Sequence, residues 1–387
     1  MLTVNSYVMS AASIPATRGG DYARYLEGKT VAPERGDYYL TPDGELTEAP
    51  GRWLADPKTL EARGIEPEGP ANDEDFVALM EGQHPETGAW LRRAGPDGAR
   101  GGGIDGVFGA PKSVSTVWAL ADPWQREQIE QAHANAVEQT VAYMRENVPL
   151  VRRRYGAEVV EEPAKDLIAI EYWHTTARGV SGADAPDPQL HSHVVITSAV
   201  RADDRIVAVA SRPVFRAAGE LGAFYRSTLA QELAAQGYPI EGGTGKDGKY
   251  FEVAGVPEAL RDAFSGRSRE GERAADRFRA RYGRAPERGE LRDLALENRR
   301  AKTLTNRTDL DRVWQETADR HHFGPDHALQ LLAGERPVHP AESVVDLIEQ
   351  HLTEHRAVFE LRDLHTVALE QTVGELAHTT HSSSHTR

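Results

Sequence analysis

The stretch that most constrains this chain is Pro188-Gln189-Leu190-His191-Ser192-His193-Val194-Val195-Ile196, led in by Asp187. Its β-branched apolar run predicts a strand. In a strand, residues i and i+2 face the same way, about 6.5–7 Å apart. His191 and His193 therefore present both imidazoles to one side. A third histidine, His174, closes the preceding strand-like run that starts at Asp166. Residues 176–188 between them are rich in Gly, Ala, Asp and Pro, which predicts a loop. Antiparallel pairing of the two strands would bring His174 beside His191, so that three imidazoles meet at the mouth of one hairpin and can share a metal ion. A lone histidine in a strand is usually an ordinary polar residue, and an H-x-H pair arises by chance in many proteins. The third imidazole, correctly spaced, is what favours the metal.

At 387 residues the chain exceeds a typical single domain, which predicts one large domain with an appendage, or two domains. It contains no apolar run of about 18 residues and no basic-then-apolar leader. The expectation is a soluble, cytoplasmic protein without membrane insertion. Abundant Ala, Gly and Arg with little Lys point to a GC-rich bacterial genome. The absence of cysteine excludes disulfides, thiolate metal sites and cysteine nucleophiles. A net charge of −15 argues against bulk phosphate neutralisation. Residues 261–310 nevertheless hold 14 Lys and Arg against 9 Asp and Glu. Arg267, Arg269, Arg299, Arg300 and Lys302 are the candidates for a basic, DNA-binding face within this stretch. The alternative is a solvated helical surface of paired charges.

In chain order, residues 2–4 begin like a strand and residues 10–20 read as a small-residue loop. Two tyrosine-bearing segments follow. The first places Tyr22, Tyr25 and Leu26 on one side of a helix by 3.6-residue periodicity, and the second carries Tyr38 and Tyr39. Tyrosine clusters of this kind are more often core or interface residues than nucleophiles. Residues 41–103 read as a loop-heavy covering layer with a short helix around Asp75–Met80. Residues 101–108 read as a strand interrupted by Asp105, whose carboxylate needs a partner if buried. Ala110-Pro111-Lys112-Ser113-Val114-Ser115 then offers either a phosphate contact through Lys112 or a tight turn. Asp122-Pro123 signals a helix start, with its end expected before Pro149. Residues 211–236 are helical in pattern, with Phe215, Leu221, Phe224, Tyr225, Leu229 and Leu233 assigned to the inner face and Gly237 as C-cap. Gly242–Lys246 lacks phosphate-loop spacing and reads as a turn. Residues 257–333 are helical, broken near 283–289. The expected division is a first domain over 1–335, the helical start of a following module over 336–377, and a disordered tail over 378–387.

With these residues in view, the chain resembles the MobF class of conjugative relaxases, members of the HUH endonuclease superfamily. The resemblance is carried by four features: the tyrosine pairs Tyr22/Tyr25 and Tyr38/Tyr39; the Asp105 strand running into Ala110–Ser115; His174 followed by Pro188-Gln189-Leu190-His191-x-His193; and the downstream Leu221-Gly222, Tyr225, Glu232-Leu233 and Gly237-Tyr238. It covers residues 1 to about 315 in the expected order. The chain departs from the pattern at Ser192, where a bulky hydrophobe is usual. The loop after His174 is also longer than usual, and the first tyrosines are spread as Tyr22-x-x-Tyr25. The helicase half common in such proteins is absent from the 387 residues, and residues 340–377 read as its beginning.

The resemblance implies an α/β fold of the α+β type: a central antiparallel sheet carrying the histidine hairpin, flanked by helices. It implies strand-specific nicking of single-stranded or hairpin DNA at a transfer origin. A tyrosine would attack the scissile phosphate to leave a 5′-phosphotyrosyl link and a free 3′-OH. Tyr25 is the first choice of nucleophile, because it precedes Leu26-Glu27-Gly28 much as the family's first cluster precedes its turn. Tyr38 and Tyr39 come next, and a second tyrosine would serve a second strand transfer. His174, His191 and His193 are implied ligands of a divalent metal ion (Mg, Mn, Zn or similar). Asp105 would orient one of them or receive the tyrosine's proton. Imidazole ligands favour Mn, Ni, Cu, Co or Zn over Mg on softness grounds. Relaxosome accessory proteins and a coupling protein are the implied partners. Two rivals stand beside this reading: a rolling-circle replication or transposition nuclease with the same chemistry, and a non-catalytic DNA-binding module.

Overall fold

The computed structural model describes residues 10–14, 51–92, 102–180, 183, 185–244, 249–297, 307–333 and 361–371. Tyr22, Tyr25, Tyr38, Tyr39, Arg299, Arg300, Lys302 and the 378–387 tail lie outside the described residues.

The frame is an antiparallel sheet of β1 (Ser10–Ile14), β2 (Arg52–Leu54), β3 (Gly103–Gly109), β6 (Asp166–Thr176), β7 (Pro188–Val200) and the short β8 (Ile206–Val207). Its order is β1-β3-β7-β6-β2, with β8 paired to β7. The strands on either side of the histidine loop, β6 and β7, are buried along almost their whole length. Such strands need cover on both faces. On one face, Ile168, Ile170, Tyr172 and Val195 pack under Leu60 of α1 (Pro57–Glu61) and Phe76, Leu79 and Met80 of α2 (Asp73–Glu81). On the other, Ile104, Phe108, Val194 and Ile196 pack against α3 (Lys112–Leu120), α4 (Pro123–Asn147) and α5 (Ser211–Gln236). Each fully buried Leu, Ile, Val or Phe contributes about 1.5–3 kcal/mol.

Local chemistry sets the helix ends. Asp122 accepts a hydrogen bond from the Gln125 backbone N–H at 2.8 Å, with Pro123 in the first helical position. α5 stops at Gly237, whose φ of 105° closes the last turn in the left-handed region. Phe215 is 42% exposed, against the expectation of an inner position. Val214, Ala217 and Leu221 define the buried stripe, and Phe215 stands about 100° round from it.

β1 occupies the start of the stretch expected as a small-residue loop, and β2 and α1 lie in the expected covering layer. Other elements also escaped the sequence reading. The segment expected as a turn or phosphate loop is already helical from Lys112 onward. Residues 151–162 form a two-stranded ribbon of β4 (Val151–Tyr155) and β5 (Glu158–Glu162). β9 (Ile240–Thr244) and β10 (Tyr250–Val253) pair on either side of the expected turn. The helical region comprises α6 (Glu258–Ala263), α7 (Gly266–Tyr282), α8 (Arg288–Glu297), α9 (Arg307–Asp319) and α10 (Pro325–Gln330), with the expected break at Gly283. α11 (Leu361–Gln371), in the stretch expected to begin a following module, packs on α5. There Arg362 pairs with Glu220 at 3.3 Å and Glu370 with Arg226 at 3.5 Å.

Candidate metal and nucleic-acid site

Because β6 and β7 are antiparallel, their register decides which side chains meet. His174 is the Cα partner of His191, and His193 lies opposite Tyr172 on one side and Val107 of β3 on the other. The three imidazoles share the face covered farther along by α1 and α2. Their ring centroids are 5.1, 5.1 and 5.5 Å apart, and their candidate ligand nitrogens lie within 4.8 Å of one another. His174 is buried, while His191 and His193 are half-buried. Nitrogens on one ion with bonds near 2.1 Å are about 3–4 Å apart, so a small closure would seat them on a metal.

Asp105 stands on the same face of β3, diagonal to His193, and its Oδ2 is 2.8 Å from His193 Nδ1. A carboxylate so placed holds the proton on Nδ1 and leaves Nε2 as the ligand atom. His191 Nδ1 is 3.0 Å from the Gln189 carbonyl, which favours the same tautomer. The expected partner of the buried Asp105 is thus a histidine of the cluster. β1 flanks this corner of the sheet, with Ala12 opposite Asp105 and Ser10 opposite Val107.

Lys112 needs correcting as a DNA contact. It is 4% exposed, and its Nζ donates to the Pro188 carbonyl at 2.9 Å, too deep to reach a phosphate. Burial pulls its ammonium down to about 8, against the opposing pull of Asp187 and Glu252. Its neighbours do similar work. Ser115 Oγ accepts from Leu190 N at 3.1 Å, Gln189 Nε2 donates to Ala110 O at 2.9 Å, and Ser113 N donates to Glu252 Oε2 at 2.9 Å. Ala110–Ser115 is a buried clasp that fixes the start of the histidine strand.

Arg267 and Arg269 are exposed on the first turn of α7. That turn adjoins the histidine loop, because Gly266 N donates to Asp187 Oδ2 at 2.8 Å. Burial pushes the Asp187 carboxyl up, and the Lys112 charge opposes the shift. A cationic cleft of about 1230 Å³ was not anticipated from sequence. Seven Lys and Arg side chains line it against three Asp, with Arg145 3.7 Å from Asp166 and Lys165 2.5 Å from Asp204. Trp90, 56% exposed, is at its rim. The lining residues come from five separate segments spread between Asp56 and Ala208, so no single charge run signals it. Asp166 is eight residues from His174 along β6, which puts the cleft about 26 Å from the histidines.

Three histidines at one end of a central antiparallel sheet, one of them backed by an aspartate, define the HUH relaxase class of DNA-processing proteins. Within that class the chain belongs to the TrwC relaxase family, whose pattern it matches over residues 19–321. It is 28% identical over 251 residues to the multifunctional conjugation protein TraI of Escherichia coli. That match takes in 61% of this chain and 13% of TraI, so the chain spans a small part of its curated relative. Among solved structures, the chain is similar to the conjugative relaxase TrwC in complex with OriT DNA in its copper-bound form. The identity is 27% and the TM-score 0.64, over 81% of this chain and 99% of that one. A metal-bound TrwC–OriT DNA complex matches with 26% identity and a TM-score of 0.63, over 81% and 99%. A TrwC complex with a 27-mer DNA comprising the recognition hairpin and the cleavage site matches with 25% identity and a TM-score of 0.62, again over 81% and 99%. Among the described residues, no helix is long and apolar enough to cross a membrane.

Proposed function

We propose that this chain nicks and rejoins one strand of DNA at a transfer origin, as a conjugative relaxase, with a divalent metal ion on His174, His191 and His193. The observation that carries this reading is the convergence of the three imidazoles, with Asp105 2.8 Å behind His193, in a chain of the TrwC relaxase family. The donor set fits: three neutral imidazoles leave coordination positions open for a substrate. When bound, the ion would act as a Lewis acid on the non-bridging oxygens of the scissile phosphate.

The chain's own residues supply the rest. A tyrosine hydroxyl has a pKa near 10 and must give up its proton as it attacks. Its oxygen forms a bond to phosphorus, the P–O3′ bond breaks, and the departing 3′ oxygen takes up a proton. The product is a 5′-phosphotyrosyl link whose energy is available for rejoining. Tyr25 is the first choice for this role, followed by Tyr38, Tyr39 and Tyr22. Asp105 keeps His193 in the ligating tautomer. The exposed Arg267 and Arg269 and the cationic cleft offer phosphate-neutralising surface on either side of the centre.

The same reading assigns residues 1–335 to the nicking unit and, on softness grounds, favours Mn, Ni, Cu, Co or Zn over Mg at the site. It gives the protein a place in the bacterial cytoplasm, with relaxosome accessory proteins and a coupling protein as partners.

The test is a cleavage assay on single strands tiled across the DNA molecule that carries the gene, with and without Mn²⁺. The full chain should nick one strand at one position only when metal is present. His193→Ala should lose cleavage and keep much of the DNA binding. No metal-dependent nick by the wild type, or full cleavage by His193→Ala, would overturn the reading.

A further inference from the structure

The histidine strand is anchored from its opposite face by a buried chain of hydrogen bonds that the reaction above does not use. Ser192 lies between His191 and His193 and, by the period of a strand, points away from the imidazoles. It is fully buried. Its Oγ donates to Glu171 Oε1 at 2.6 Å and lies 2.7 Å from His133 Nε2 on α4. Glu171, on β6, is 4% exposed and accepts on its other oxygen from Arg52 Nε at 2.6 Å. His133, fully buried, completes the chain through its Nδ1, 2.8 Å from the Tyr225 hydroxyl on α5.

One proton arrangement satisfies every link. A carboxylate is acceptor-only, so Arg52 and Ser192 must both donate to Glu171. Ser192 Oγ then accepts from His133, which fixes the Nε2–H tautomer. His133 Nδ1 is left to accept from the Tyr225 O–H. Burial pulls the His133 imidazole down to about 3, in keeping with a neutral ring. The Trp173 ring stacks on His133 with centroids 5.8 Å apart and planes 26° apart, which limits its rotation. Ser192 is thereby tied to β6 on one side and to α4 on the other, at the one residue that separates two imidazoles.

We propose that Ser192, held by Glu171 and His133, is a positioning residue for the metal centre. Rotation of β7 about its own axis swings His191 and His193 together relative to His174. A hydroxyl bonded to two rigid partners adds to the ladders with β3 and β6 in limiting that rotation, which an apolar residue would not do. The proposal deepens, and rests on, the metal reading of the three histidines. Ser192 touches neither metal nor substrate, and its effect passes through the backbone of its two neighbours.

The experiment is Co²⁺ binding to the full chain, read by isothermal titration and by the visible absorption of the bound ion, which reports ligand geometry. Ser192→Val loses both hydrogen bonds and matches Ser192→Thr in volume, so comparing the two isolates the hydroxyl from the added bulk. Ser192→Val should bind Co²⁺ about tenfold more weakly, the lower end of what outer partners of metal ligands contribute, with an altered visible spectrum. Ser192→Thr keeps the hydroxyl and should restore both affinity and spectrum. Glu171→Gln replaces the charge that orients the chain and should shift the spectrum in the same direction as Ser192→Val. It provides the second readout if Ser192→Val fails to give a cooperative melt. Wild-type affinity and spectrum in folded Ser192→Val, or in Glu171→Gln, would overturn the positioning role and leave the metal reading standing. Failure of the wild type itself to bind Co²⁺ would overturn both.

Discussion

His174 and His191 stand directly opposite each other across β6 and β7, with ring centroids 5.1 Å apart, and His193 completes the cluster two residues along. The residues that hold this register are distant in sequence. Lys112 Nζ reaches the Pro188 carbonyl, Trp314 Nε1 donates to the Pro186 carbonyl at 2.8 Å, and Gly266 N donates to Asp187. The centre is thus positioned by α3, α7 and α9 as well as by its own strands.

Asp105 fixes the His193 tautomer through one hydrogen bond. Asp105→Asn keeps the shape and removes the charge. Calorimetric titration with Mn²⁺ or Zn²⁺ should show metal affinity falling about 10–100-fold, with the melting temperature of the metal-free protein little changed. Unchanged affinity would separate Asp105 from the site.

Burial pulls the His133 imidazole down to about 3, from the 6.5 of an exposed histidine in the unfolded chain, which keeps it neutral in the folded protein. Between these values the unfolded state binds more protons, so stability is complete above about pH 6.5 and drains away as pH falls toward 3. The loss from this one group at pH 4.5 is about 3 kcal/mol. Urea midpoints at pH 7 and 4.5, compared between the wild type and His133→Leu, should show a smaller acid loss in the variant. Equal acid loss would contradict the buried neutral imidazole.

Several parts of this arrangement were legible in the amino-acid string because their causes are local. The spacing of two puts His191 and His193 on one face, Asp122-Pro123 starts α4, and Gly237 ends α5. The convergence of His174 follows once the two strands pair across a loop. Most of what could not be read depended on partners far away. Lys112 looks like a phosphate ligand until Pro188 O, 76 residues on, is found beside its ammonium. Phe215 reads as inner because it is large and apolar, and only the stripe of Val214, Ala217 and Leu221 shows it to be outside. The cationic cleft and the Ser192 network gather residues from separated segments, and neither leaves a periodic trace.

Glu370 on α11 is 5% exposed and faces Arg226, 3% exposed, and Lys249. Removing one partner of a buried pair leaves the other charge poorly compensated, at a cost of about 3–5 kcal/mol. Glu370→Ala should lower the urea midpoint accordingly, and truncation after residue 335 should do the same. A truncated chain as stable as the full one would show that α11 contributes nothing to the fold of the first 335 residues.

Arg267 and Arg269 are exposed beside the histidine loop. If they neutralise phosphates, each Arg→Ala should weaken single-strand binding at every sequence tested and reduce the slope of log K against log salt by about 1. Fluorescence anisotropy across a salt series measures it, and an unchanged slope in the double variant would remove this surface from the interface.

In the proposed reaction a tyrosine of this chain, assisted by the histidine centre, becomes covalently joined to DNA. The direct measurement is mass spectrometry of the detergent-resistant adduct formed with a cleaved single strand in the presence of Mn²⁺. The expected adduct is a 5′-phosphonucleotide on one tyrosine among Tyr22, Tyr25, Tyr38 and Tyr39, lost on its change to Phe and absent in His193→Ala. Cleavage that leaves no protein-linked DNA, or an adduct on any other residue, would contradict it.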